Sequence, residues 1–147
     1  MTTPNIYANG EGENSYLNVP GSQGIGPRSV VRTAFIPSGS DGIIGLVPFN
    51  KGAIVDYGSA IACDALGGAG FLDWGVIYDD DFNFPDEPGI FAQADTTYQA
   101  GAVLRPSIAT GATFVAQANG FVAAIISGGT TATDGNITFN GTISYQG

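Results

Sequence analysis

Twenty-three glycines, scattered through 147 residues without a G-X-Y period, constrain this chain more than any other feature of its sequence. The missing triplet period excludes a collagen helix. Glycine inside a helix costs roughly 1 kcal/mol relative to alanine, so this density disfavours long helices and supplies turns instead. Thr, Val, Ile, Phe and Tyr fill the segments between the glycines, whereas Lys, Glu, Gln and Leu are scarce. Branched and aromatic side chains suit a pleated, half-buried surface. The pattern predicts an all-β domain of short strands and tight turns. Hydrophobic residues make up 44% of the chain and charged ones 12%, enough apolar surface to offset the entropy of ordering one domain of this length.

The chain divides at residue 28. Residues 1–27 are rich in Gly and Pro, lack periodicity and read as an extended N-terminal arm, whose apolar side chains Tyr7, Tyr16, Leu17 and Val19 suffice to anchor it on another subunit. Residues 28–147 read as the folded domain. Its predicted strands are 28–36, 43–49, a long run over 53–64, 71–78 with the only Trp, 90–94 and 98–104. A hairpin of 111–118 with 121–127 is expected through Asn119-Gly120, a dipeptide suited to positive φ. The closing run 136–145 sets Ile137, Phe139, Ile143 and Tyr145 against Thr138, Asn140, Thr142 and Ser144, a half-exposed strand. About eight strands suit a jelly-roll-like antiparallel β-sandwich.

The chemistry the chain lacks narrows its function. It has no histidine, so Ser-His and Cys-His catalysis are excluded. The single Cys63 lies in an apolar run and reads as a small buried hydrophobe. No pair among the thirteen acids stands at a telling spacing. The chain therefore reads as non-enzymatic, with no cofactor. Four basic residues, Arg28, Arg32, Lys51 and Arg105, leave a formal net charge of −9, which argues against nucleic acid and anionic membrane as partners. The polar N-terminus does not read as a secretory signal, and no apolar stretch is long enough for a spanning helix. The acidic run 79–88 offers Asp79, Asp81, Asp86 and Glu87 as weak candidate cation ligands. Phe84 and Ile90, however, occupy the positions where an EF-hand loop requires Gly and Glu. Trp74, Tyr78 and Phe82 beside these acids are the only candidate sugar platform.

The runs 35–39, 48–55, 119–126 and 135–145 follow one another in a pattern that resembles the capsid decoration (cement) and small virion structural proteins of tailed bacteriophages. The resemblance implies a homotrimer on the outside of a capsid, with its termini gripping the major capsid protein. Arg28 and Arg32, beside the arm, would then pair with acids of a partner. A head-fibre or tail-associated protein and a lectin-like module are the alternatives. Sandwich edge strands with few basic residues to blunt them also favour a symmetric oligomer.

Overall fold

The computed structural model describes residues 3–8 and 28–145, and Tyr16 and Leu17 of the predicted arm lie outside the described residues. Ten strands follow in order: β1 (Ile6–Tyr7), β2 (Arg28–Ile36), β3 (Gly42–Phe49), β4 (Ala53–Val55), β5 (Ala60–Cys63), β6 (Phe71–Tyr78), β7 (Glu87–Asp95), β8 (Ala102–Leu104), β9 (Gly120–Ser127) and β10 (Gly135–Tyr145). Sheet I has the order β1-β3-β9-β6-β7, and sheet II the order β2-β10-β5-β8, with β4 also paired to β10. The expected all-β sandwich is what the chain forms.

The antiparallel pairs are nested: β2 with β10, β3 with β9, β5 with β8 and β6 with β7. These eight nested strands, four in each of the two facing sheets, with β1 and β4 added at the sides, are compatible with the strand order of a jelly roll. The core lies between the sheets. Trp74 of sheet I is fully buried, its ring 5.1 Å from Phe91 and 6.5 Å from Phe139 of sheet II. Leu72, Trp74, Val76 and Tyr78 share this inward face at period two, whereas Ile77 joins Phe121 and Ala123 in a second cluster outside it.

Strands β2 and β6 have the predicted bounds, but three expectations need correction, the first being the run 98–104, which is a strand only over Ala102–Leu104 after a 3-10 turn at Thr97–Ala100. The run 53–64 is not one strand, because residues 56–59 turn, with the Ser59 N–H donating to the Asp56 carbonyl at 2.9 Å. The run 111–118 forms no hairpin with β9. It holds the end of a 3-10 turn, Ala109–Thr113, and then irregular chain, while β9 pairs with β3 and β6. The Asn119 side chain instead accepts the Lys51 N–H at 2.9 Å, and its carbonyl accepts the Asp79 N–H at 2.9 Å.

The connections gather at the two ends of the sandwich. At one end Gly39 N–H donates to Thr131 O at 2.7 Å, Gly67 N–H to Gln99 O at 2.9 Å, and Ala132 N–H to Leu66 O at 2.8 Å. At the other end the β3–β4, β6–β7 and β8–β9 connections meet, where Gly52 N–H donates to Ala116 O at 2.8 Å. No helix among the described residues is long and apolar enough to cross a membrane.

Candidate functional site

Surface chemistry in this molecule is sorted by location. Asp41, Asp64, Asp95 and Asp134 lie at or beside the connections of one end, and Asp79, Asp80, Asp81 and Asp86 in the β6–β7 connection at the other. Of these only Asp64 has the parity of the outer face of sheet II, at its edge, where its carboxylate accepts the Asn136 N–H at 2.8 Å. Alternation along β2, β10, β5 and β8 sets two cross-sheet rows there, Val31-Asn140-Ala60 and Thr33-Thr138-Ala62-Val103, with Phe35 opposite Asn136 beside them. Val31 is 55% exposed, Phe35 56% and Val103 60%. The Thr33 and Thr138 hydroxyls lie 3.0 Å apart and link two strands. Such a patch, sparsely charged and partly apolar on a strongly acidic molecule, is a surface suited to docking.

Within this face a depression of about 330 Å³ is lined by Gly58, Ala60, Ala62, Val103, Arg105 and Asn140. Its small side chains make the hollow, and Arg105, exposed, places a cation at the rim. No carboxylate pairs with Arg105 among the described residues.

The residues expected to grip a partner are placed as follows. Tyr7 lies in β1, parallel to β3, with its ring 5.6 Å from Phe121 in edge contact. Asn5 N–H donates to Ile43 O at 2.7 Å, and Asn5 Oδ1 accepts the Ile43 N–H at 2.9 Å, so this segment is fastened to sheet I of its own chain. Arg28 opens β2 opposite Ile143, four residues before Arg32. Arg32 has the parity of the buried Ala34 and Ile36, sits opposite Phe139, and has a buried Nε.

In the acidic connection, Asp80 accepts the Asn83 N–H at 3.2 Å and its Nδ2–H at 2.8 Å, and Phe84 N–H donates to Asp80 O at 2.9 Å. Asp86 accepts the Tyr78 N–H at 2.8 Å. These bonds close a compact turn. No group of three or more His, Cys, Asp or Glu side chains placed to hold a metal ion occurs among the described residues, Asp79, Asp81, Asp86 and Glu87 included. Of the candidate sugar platform, Trp74 and Tyr78 are fully buried and only Phe82, 91% exposed, reaches solvent.

Burial, reinforced by Asp95 and Asp64, pushes the Cys63 thiol up to about 12 and so keeps it protonated and unreactive. Burial likewise pushes the Tyr78 hydroxyl up to about 12, against the lowering effect of the Gln117 N–H that it accepts at 3.3 Å. Neither is poised for chemistry near neutral pH.

The strand order and the two facing sheets define a class, an all-β sandwich compatible with a jelly roll. Within that class the chain is similar to a chain in the capsid of Ralstonia phage GP4, with a TM-score of 0.56 and 18% identity over 80% of this chain and 86% of that one. It is also similar to a chain in the capsid asymmetric unit of cyanophage Pam1, with a TM-score of 0.54 and 16% identity over 87% and 91%. At these identities the likeness is one of fold. No family model matches the sequence, and no curated protein does.

Proposed function

We propose that this chain is a non-enzymatic virion structural protein, a capsid decoration (cement) protein that binds the major capsid protein lattice from outside as a homotrimer and stabilises the phage head. The observation that carries this reading is the fold likeness to two phage capsid chains over at least 80% of this chain. An acidic domain with a sparsely charged sheet face fits the same role, because many modest contacts repeated over a lattice add up by multivalency. Tyr7 fastens the root of the N-terminal segment to sheet I, Tyr16 and Leu17 further along it grip the capsid, and Arg28 adds a cation where the segment enters β2. Arg32 braces β2 from the core side. Burial of Trp74 and Tyr78 weighs against the lectin-like alternative.

The test is to incubate purified protein with capsids that lack decoration, then measure bound copies by sedimentation and cryo-electron microscopy, and genome release on heating. Saturable binding at symmetry-related positions and a higher release temperature are expected. Deleting residues 1–27 should weaken binding while the chain stays folded. Absence of both binding and heat protection by the intact chain would refute the proposal.

A further inference from the structure

We infer that the depression on sheet II is a socket for the β6–β7 connection of a second copy of this chain, with Phe82 as the plug. The inference rests on the homotrimer reading above and names the contact that builds it.

The plug is unusual in its exposure. Phe82 is 91% exposed, the most exposed large apolar side chain among the described residues. The turn that carries it is already ordered by the Asp80–Asn83 bonds, by the Asp86 bond to Tyr78 N–H, and by the Phe84 ring packed edge-on to Tyr78 at 6.4 Å. A large ring held out on a pre-ordered turn loses little further entropy when it docks, which is how an interface anchor is built.

The socket matches it in shape and charge. Ala60, Ala62 and Val103 form the apolar part of a hollow of about 330 Å³ that Asn140 and Arg105 complete, more than a phenyl ring requires. At its rim stands Arg105, without a carboxylate partner among the described residues. The connection that bears Phe82 also bears Asp79, Asp80, Asp81 and Asp86. Two copies, each with a net charge of −9, repel over most of their surfaces. Seating the acidic connection against Arg105 offsets that repulsion locally, although Asp56, which accepts the Gly58 N–H at 3.3 Å, adds one carboxylate beside the hollow. A basic partner, by contrast, gains nothing from an arginine at the rim.

Plug and socket lie at different places, one at an end of the sandwich and one on a face. The contact is therefore head-to-tail, and copies related by a closing rotation form a ring.

Sedimentation velocity and native mass spectrometry of the full chain test this, with thermal melting to show that each variant is folded. Phe82→Ala and Arg105→Glu should each weaken self-association about 30-fold or more, and Ala62→Trp, which fills the hollow, should do the same. Mixing Phe82→Ala, which keeps its socket, with Ala62→Trp, which keeps its plug, should restore heterodimers that neither forms alone. A wild-type chain that is monomeric at high micromolar concentration, folded Phe82→Ala and Arg105→Glu variants with wild-type assembly, or a mixture that does not associate would each overturn the inference. Capsid binding is scored separately. Wild type that decorates capsids while the variants still assemble refutes the socket and leaves the capsid reading standing.

Discussion

Gly75, in the middle of β6, should tolerate no side chain. At this point β7 crosses close to β6, and Gly75 lies within a shift of the β6–β7 register between Trp74 and Val76. A methyl group on Gly75 would come within 2.5 Å of the Pro88 carbonyl carbon and oxygen and closer still to the Glu87 carbonyl oxygen. These are backbone atoms fixed by strand pairing, so the strain cannot be relieved by turning a rotamer. Overpacking of this kind costs about 2–3 kcal/mol. For a domain of this size, that corresponds to a fall in Tm of about 4–12 °C. Gly58→Ala is the control, since the nearest atom to its added methyl is Asp56 Oδ2 at 3.6 Å. It should change stability by less than about 0.5 kcal/mol. Differential scanning calorimetry of both variants decides the matter. If Gly75→Ala melts within a degree of wild type, or if both variants fall equally, the close approach of β7 is not what holds glycine at this position.

Phe139→Ala removes the ring that meets Trp74 across the sandwich and should cost about 3–5 kcal/mol, read as a large fall in the urea midpoint with a red shift of Trp74 emission. Stability should decline in alkali: Tyr78 and Cys63 have hydroxyl and thiol groups raised by burial to about 12, so their contribution is complete below the unfolded values near 10 and 9 and is lost as pH rises towards 12. Tyrosinate absorbance followed together with circular dichroism should show Tyr78 ionising with unfolding, and ionisation of Tyr78 in the native state near pH 10 would contradict this. Chelation with EDTA should leave Tm unchanged, because hydrogen bonds from Asn83 and Phe84 to Asp80 order the acidic turn; a shift of several degrees would instead indicate a bound cation.

Local signals were legible where the chain obeyed them. Arg28–Ile36 and Phe71–Tyr78 alternate without interruption and end at strong turn chemistry, so their bounds could be read directly. The two-faced pattern of the closing strand announced a half-exposed sheet, and β10 occupies the middle of sheet II. What misled was glycine and asparagine serving distant neighbours. Asn119-Gly120 has the composition of a tight hairpin, yet a side chain at Gly120 would strike the backbone of Ile77 and Tyr78, so close packing against β6 selects glycine there. Turn propensity and interstrand crowding leave the same residue in the sequence. The socket was not legible at all, because Gly58, Ala62, Val103 and Asn140 meet only once the register of three strands is set.

The nested pairing also fixes when, during synthesis, this molecule becomes able to associate. The innermost pair, β6 with β7, closes a short loop, whereas β2 must wait for β10 at the far end of the sequence, with Arg28 opposite Ile143. Loop-closure entropy and non-local contacts place that outer pairing late. Sheet II is organised around β10, so its docking face does not exist until β10 has been made. Chains truncated before Gly135 should therefore fail to associate with full-length protein, which pulse-labelled translation with native electrophoresis can check. A nascent chain that has not yet made β10 has no finished face to offer its neighbours on a crowded polysome.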